Sequence, residues 1–451
     1  MELDEFLSEI EEKEKLYNLY DYKINDITIY RIIRFSTRVK YLKKIGFTNK
    51  TRPRKINIFK TIIVFTRDLF FIIKFIFSRS TYDLVFFEFP RVFNSKKSYY
   101  EKITHPLIHE VKKEKEVLIF KGINSFKNNN FSLGQLHSLS IKFFCILTAL
   151  FLTPSFYLLH MNKLNNFLKS LGRVLKLCMI EKLKIITKTT VFFVEHHVFG
   201  HIFKHLKVKQ IVIGGRESYL PQLAAAKKLN VLTFEMQHGI TRSKTPYYTG
   251  EYDKSLDPDL FLTFGKEWKG KFFGVPQSKI INIGWGSSKY RSKHLNRVKS
   301  SEVLVASSPE LTEKILTFLR LAKETNIKFS LRTHPQEQLN LQQMDLIASL
   351  KNVALDNSLD SEEAIAKFDY ILGHNSSILF EAACFGKTIM VFNTPEIPAV
   401  NSKQILKYGF HLISNPSDIE QVFKLPKTEP ILKSNFYSIF EPNNFIKCLK
   451  E

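Results

Sequence analysis

Cysteine is scarce in this chain, four residues in 451, and Cys145, Cys178, Cys384 and Cys448 are scattered along it. No Cys-x-x-Cys pair and no metal-ligand spacing occurs, so they read as small buried hydrophobes of a reducing compartment. Acidic residues are the second deficit: 43 Asp and Glu against 67 Lys and Arg leave a formal net charge of +24. A surplus of that size favours nucleotides, other polyanions or anionic lipid headgroups. Nucleic acid is not an expected partner, because no run of Lys and Arg interleaved with base-stacking aromatics forms a module. Long uncharged apolar runs are also missing. Phe143 to Leu159 is apolar and uncharged, yet it falls short of the ~20 residues of a spanning helix, and Pro154 interrupts it. Residues 58–77 are apolar but carry Lys60, Arg67 and Lys74 at intervals of seven. That spacing puts the cations on one helix face, which fits either an amphipathic helix on an anionic bilayer or a core helix with a wet stripe. The acidic start, Met-Glu-Leu-Asp-Glu, is the reverse of a signal peptide's basic one. The expectation is a cytoplasmic protein, peripheral at the inner face of the cell membrane.

What is present is a globular composition: 44% hydrophobic and 24% charged residues, with 41 Phe. The length allows two or three domains, and no internal repeat or low-complexity tract interrupts it. Asp83–Phe89 and Glu116–Phe120 read as strands around a helical stretch. Gln210–Ile213 and Val231–Phe234 follow, separated by a helix containing Leu223-Ala224-Ala225-Ala226. Short continuous apolar runs between helices are the mark of a parallel sheet covered on both faces. Further candidates lie at 260–263, 280–283, 303–306, 328–331, 370–372 and 388–392. The reading is an α/β chain of two Rossmann-like, doubly wound domains facing across a cleft. Residues 1–245 form an N-terminal acceptor-side domain with helical and amphipathic insertions. Residues 241–258 form a polar linker, 259–425 a nucleotide-donor domain and 426–451 a helical tail.

In such sheets ligands bind beyond the carboxyl ends of the strands, and four motifs sit there. Gln237-His238-Gly239 follows one strand, and a histidine at that place can take a proton from an acceptor hydroxyl or simply close a turn. Arg332-Thr333-His334-Pro335 follows another and can neutralise a departing diphosphate. Gly373-His374-Asn375-Ser376-Ser377 opens a helix, where hydroxyls and free N–H groups form either an anion site or an ordinary cap. Glu381, a turn further in, can reach a ribose or sugar hydroxyl or be a plain surface residue. Gly265 and Gly284-Trp285-Gly286 end strands and allow close backbone approach. His196, His197, His201 and His205 have i, i+4 spacing but no third ligand, so they read as a helix face rather than a metal site.

Taken in order, Gln237-His238-Gly239, Arg332-x-His334-Pro335 and Asn375-Ser376-Ser377 with Glu381 and Gly386-Lys387 resemble the signature of bacterial capsule and lipopolysaccharide glycosyltransferases of the GT-B fold. Similar elements occur in polysialyltransferases and in CDP-glycerol glycerophosphotransferases, and the non-hydrolysing UDP-GlcNAc 2-epimerases carry similar His-Pro and Ser-Ser motifs. The resemblance covers roughly residues 205–415. It implies that His334, Ser376 and Ser377 bind donor phosphates; beside it, Arg332 reads as a further phosphate-binding residue, Glu381, Gly265 and Asn375 as lining the sugar and ribose, and His238 or Glu217 as the base. The acidic pair of the sialyltransferases has no clear match near Gly214-Gly215-Arg216-Glu217. No Asp-x-Asp follows a strand, in keeping with metal independence and no cofactor beyond a UDP-, CMP- or CDP-linked donor. The expected partners are that donor and a polysaccharide or lipid-linked acceptor. Alditol-phosphate transfer, donor epimerisation and a non-catalytic scaffold of a polysaccharide assembly complex are the competing functions.

Overall fold

Short apolar runs between helices build two parallel sheets. The computed structural model describes residues 3–44, 81–89, 92–94, 99–121, 135–239, 252–268, 274–286, 302–334, 337–358, 361–374, 376–399, 405–406, 408–426 and 437–449. Helix α1 (Leu3–Leu16), the hairpin β1 (Lys23–Ile24) and β2 (Ile27–Thr28), and helix α2 (Ile29–Lys44) come first. Buried Glu14 ties the two helices, accepting from Arg38 Nε at 2.8 Å, Arg34 Nε at 3.1 Å and Tyr30 Oη at 2.7 Å. Next come β3 (Leu84–Phe87), the hairpin β4 (Val92–Asn94) and β5 (Tyr99–Glu101), α3 (His105–Val111), β6 (Val117–Lys121) and β7 (Gln135–His137). Two long helices follow, α4 (Ser138–Val174) and α5 (Met179–His205). They lead to β8 (Gln210–Ile213), α6 (Arg216–Lys228), β9 (Leu232–Met236), β10 (Leu260–Thr263) and β11 (Ile280–Asn282).

These strands form one parallel sheet of seven, in the order β11-β10-β9-β8-β3-β6-β7. Alternate side chains of its strands enter two cores, as a doubly covered sheet requires. Val85, Phe87, Phe120 and Ile213 pack with Phe199 and Phe203 of α5 on one face. Leu84, Phe86, Val212 and Phe234 pack with Leu107 and Ile108 of α3 on the other.

The second sheet comprises β12 (Val303–Ala306), β13 (Phe329–Arg332), β14 (Val353–Leu355), β15 (Tyr370–Gly373), β16 (Thr388–Phe392) and β17 (His411–Ile413). Its helices are α7 (Thr312–Leu321), α8 (Leu341–Ser349), α9 (Ser361–Lys367), α10 (Ser377–Cys384) and α11 (Ser417–Lys424). The six strands run parallel in the order β14-β13-β12-β15-β16-β17. Two doubly wound α/β units are thus present, the two-domain GT-B-like architecture expected from the strand–helix alternation.

The seam between the units differs from its expected place. β10 pairs with β9, Leu260 opposite Phe234, and β11 pairs with β10, so residues 260–282 extend the first sheet instead of opening the second. A fully apolar tetrapeptide such as Leu260–Thr263 reads the same in either sheet; only its pairing partner decides. Residues 253–257 are anchored rather than linker-like, since Thr28 Oγ1 donates to Asp253 at 2.9 Å and Asp257 is buried in an ion network described below. Pro154 does not end its helix. Helix α4 continues past it and departs from helical geometry only at His160 (φ −117°, ψ 17°). Cys145 and Cys384 are buried as expected, whereas Cys178 is exposed at the start of α5. Residues 58–77 lie outside the described residues.

The expected helical tail is α12 (Pro442–Cys448), and it returns to the first sheet. Phe445 packs on Phe234 with ring centroids 4.9 Å apart, and Trp285 N–H donates to the Ser438 carbonyl at 3.0 Å. Gly284 sits at φ +74°, and a Cβ there would lie 1.9 Å from the Ile439 carbonyl oxygen. The close approach expected of this glycine is therefore made by the tail. Gly284→Ala should lower stability by at least about 2 kcal/mol, combining backbone strain with a clash against main chain. Denaturant titration checks it, and limited proteolysis should show the last residues cut first.

Candidate active site

Each sheet reverses its strand order at one point, and there the loops beyond the carboxyl ends splay apart to leave a crevice. In the first sheet this point lies between β3 and β8; in the second it lies between β12 and β15. Glu88 and Phe89 leave β3, and Gly214 and Gly215 leave β8. Phe89 stacks on His238, ring centroids 4.5 Å apart and 20° from parallel. A Cβ on Gly214 would fall 2.7 Å from the Phe89 backbone nitrogen, and one on Gly215 would fall 3.3 Å from His238 Nδ1. The glycine pair therefore lets the β3 and β9 loops close over β8, and it brings His238 to the switch point.

Gln237 holds that loop. Its buried carboxamide donates to the Gly239 carbonyl at 2.9 Å and accepts from Phe264 N–H at 3.0 Å. The carboxamide thus fixes the turn that carries His238, a physical reason for Gln before His. Glu217 lies in the first turn of α6, half-buried. Burial pushes its carboxyl up to about 7 against the pull of Arg31, Arg216, Arg34 and Lys188. It makes no hydrogen bond or ion pair with the described residues, so its oxygens are open to a hydroxyl. A carboxyl of that pKa suits a general base.

Beneath Glu217 lies a buried ion network that the sequence did not reveal. Arg216 donates from Nε to Glu235 at 2.5 Å and from a terminal nitrogen to Asp257 at 2.5 Å, and its backbone N–H reaches Glu235 at 2.9 Å. Arg31 of α2 donates twice to the same Asp257, at 2.5 and 3.1 Å. Burial pushes Asp257 up, but Arg31 and Arg216 outweigh it and hold the carboxyl below its usual range. The network pins the start of α6, and hence Glu217, to β9 and α2. The chain's Asp-x-Asp, Asp257-Pro258-Asp259, precedes β10 and is occupied structurally: Asp259 takes Lys227 and the Thr233 hydroxyl, the latter at 2.8 Å.

In the second sheet, Ser307 and Ser308 leave β12, and His374 and Ser376 follow β15. Ser376 occupies the cap position of α10 with extended backbone (φ −101°, ψ 146°), and its side chain does not cap the helix. Ser376 is half-buried and Ser377 exposed, both beyond the carboxyl end of β15, where the first N–H groups of α10 lack intrahelical acceptors. Asn375 and Pro335 lie outside the described residues. His334 is half-buried beyond β13, and its N–H donates to Glu337 at 2.8 Å. The other Glu337 oxygen accepts from Ser307 Oγ at 2.8 Å and Thr312 Oγ1 at 2.6 Å. Glu337, missed in the sequence, therefore clamps the β12 and β13 loops together; its only local signal is a carboxylate three residues after His334.

Three expected site residues are placed differently. Arg332 is ion-paired to Asp356 and donates to the Ser358 carbonyl at 3.2 Å, which draws its guanidinium toward the β14 end and away from the switch point. Glu381 is buried and ion-paired at 2.5 Å to Lys102, across the boundary between the two units, rather than turned to an open sugar pocket. Gly265 ends β10 in the first sheet, not the first strand of the second. Lys387, next to Gly386 at φ +69°, pairs with Asp369 at 3.2 Å and secures the return to β16. His197 and His201 contact each other at 3.1 Å. Among the described residues no group of three His, Cys, Asp or Glu side chains is placed to hold a metal ion.

No family model matches the chain, and no curated protein matches it. Solved structures do. The UDP-GlcNAc 2-epimerase of Methanocaldococcus jannaschii aligns with a TM-score of 0.50 at 11% identity, over 81% of this chain and 98% of that one. MurG of Acinetobacter baumannii gives 0.41 at 12% identity, over 82% and 98%. The wall teichoic acid polymerase TagF gives 0.43 at 13%, over 88% and 97%. At 11% identity, the likeness to the epimerase shows a shared two-domain fold and nothing of its chemistry.

Proposed function

We propose that this chain is a glycosyltransferase that moves a sugar from a nucleotide-activated donor onto a growing cell-surface polysaccharide, capsule or lipopolysaccharide, without a metal ion. One observation carries the reading. Glu217, a half-buried carboxyl pushed up to about 7, opens the helix that follows β8, and His238 follows the neighbouring strand β9, so in this reading the acceptor hydroxyl enters at these strand ends. Glu217 takes the hydroxyl proton as the acceptor oxygen bonds to the anomeric carbon. The bond from that carbon to the phosphate oxygen breaks, and the nucleotide leaves with the electron pair. His334, Ser376, Ser377 and the first N–H groups of α10 meet the charge that develops on the phosphate. The donor, linked to UDP, CMP or CDP, is held by the second unit, and the polysaccharide or lipid-linked acceptor by the first.

His334→Ala should reduce transfer at least roughly hundredfold, the scale of a lost anion-stabilising donor, with an unchanged melting temperature. The same variant should lose the thermal stabilisation given by the matching nucleotide, found by screening UDP, CMP and CDP against the wild type. Full transfer by the variant overturns the assignment. Stabilisation by no nucleotide at all would leave the scaffold reading in its place.

A further inference from the structure

Helix α4 inverts the usual amphipathic pattern. Its first half turns Ile141 and the smaller Cys145, Ala149 and Thr153 inward; they recur every fourth position and are buried. The large apolar side chains face outward instead, with Phe151 83% and Leu159 77% exposed, and the pattern continues at the start of α5 with Met179 at 86%. Twelve of the 21 exposed large hydrophobic residues among the described ones lie between Phe143 and Leu183. An apolar face of that extent on a folded protein marks an interaction surface.

Charge selects the occupant. Residues 138–194 carry eight Lys and Arg against a single acidic residue, Glu181. Lys163, Lys169, Lys182 and Lys184 are exposed beside the apolar stripe. Two copies of this face would set like charges against each other, whereas an anionic lipid surface satisfies both the cations and the apolar side chains. By length and composition the helix could cross a membrane over an 18-residue stretch within Ile141–Val174. Its inner side is nevertheless committed to protein. Ile141 and Cys145 pack with Phe199 and Phe203, while Leu164, Phe167 and Leu171 pack with Ile186 and Phe192. Spanning would strip those contacts, and lying in the interface keeps them. A groove of 1470 Å³ at α4 and α5 extends the apolar surface, lined by Phe144, Leu152, Phe193 and Val198 among others.

We infer that the outward face of α4 and the first turns of α5 form a docking surface for an anionic lipid bilayer, on which the protein lies without crossing. The inference does not depend on the transferase reading and is tested without donor or acceptor. The full-length chain is mixed with phosphatidylglycerol–phosphatidylcholine vesicles, or with pure phosphatidylcholine vesicles, and the bound fraction is read by flotation. The wild type should bind the anionic vesicles far more strongly. Phe151→Ser with Leu158→Ser and Leu159→Ser removes three exposed side chains that the fold does not use. That variant should lose at least roughly tenfold in partitioning at an unchanged melting temperature. Lys163→Gln with Lys169→Gln and Lys182→Gln should weaken binding and flatten its salt dependence. No binding by the wild type, or equal binding by the serine variant, overturns the inference. So does a dimer that the serine variant dissociates while vesicles go unbound, since the face would then belong to a second copy.

Discussion

Glu217→Gln lowers kcat/KM by roughly 10²- to 10⁴-fold, the range of a lost general base, and abolishes the rise of activity with pH through neutrality. In the wild type the base works only when ionised, so kcat/KM climbs as pH passes the carboxyl's value of about 7 and levels off above it. If His238 were the base, the variant would keep that rise. Stability moves the opposite way. The folded-state value lies above the ordinary carboxyl value of 4.5, so the contribution of Glu217 is fully present below pH 4.5 and is lost as pH rises through about 7. The loss is on the order of 3 kcal/mol. Denaturant titrations at acid and mildly alkaline pH should therefore show the variant gaining on the wild type only at the alkaline end. Burial and the neighbouring Glu88 also hold Glu101 up, to about 8. Glu101 is bound by the Ile103 and Thr104 amides, so its effect is common to both proteins and cancels in the comparison.

The second large effect falls on the network under that carboxylate. Arg216→Met leaves Glu235 fully buried without its guanidinium and removes one of two cations from Asp257. Breaking a buried pair on one side costs about 3–5 kcal/mol, far more than losing an exposed pair. The expected result is a melting temperature lower by roughly 10 °C or insoluble expression. Adding Glu235→Leu should recover part of the loss, because the orphaned charge is then gone while Arg31 still holds Asp257. An Arg216→Met protein as stable as the wild type would show that the network is not what fixes the start of α6.

The strands were largely legible because a strand buried on both faces is a short unbroken apolar run, as in Val303–Ala306. Strands of three residues with polar or exposed members, Gln135–His137, Val353–Leu355 and His411–Ile413, leave no such trace. Partnership was not legible either. Leu260–Thr263 has the composition of a strand of either sheet, and only its pairing with β9 assigns it. Among the candidate residues, His238, His334 and the serines at 376 and 377 stood out because each lies just beyond a strand, whereas Glu217 entered only beside the resemblance. What escaped are pairings between distant positions. Lys102 and Glu381 lie 279 residues apart, and Arg31 and Asp257 lie 226 apart. Such pairs have no periodicity to betray them. Glu381 read as a ligand-binding residue for that reason: its sequence neighbourhood is a helix, and its partner comes from another unit.

The return of residues 437–449 to the first sheet makes the second unit, topologically, an insertion. During synthesis the first unit cannot complete the packing around Phe234 and Gly284 until residues 437–449 have been made. The inserted unit, whose strands follow one another without interruption from 303 to 413, needs no such wait. The later-made half of the protein is therefore the first able to complete its core. A chain cut before residue 437 would fail in the half that carries Glu217 and His238, although the missing piece is separated from it by the whole inserted unit.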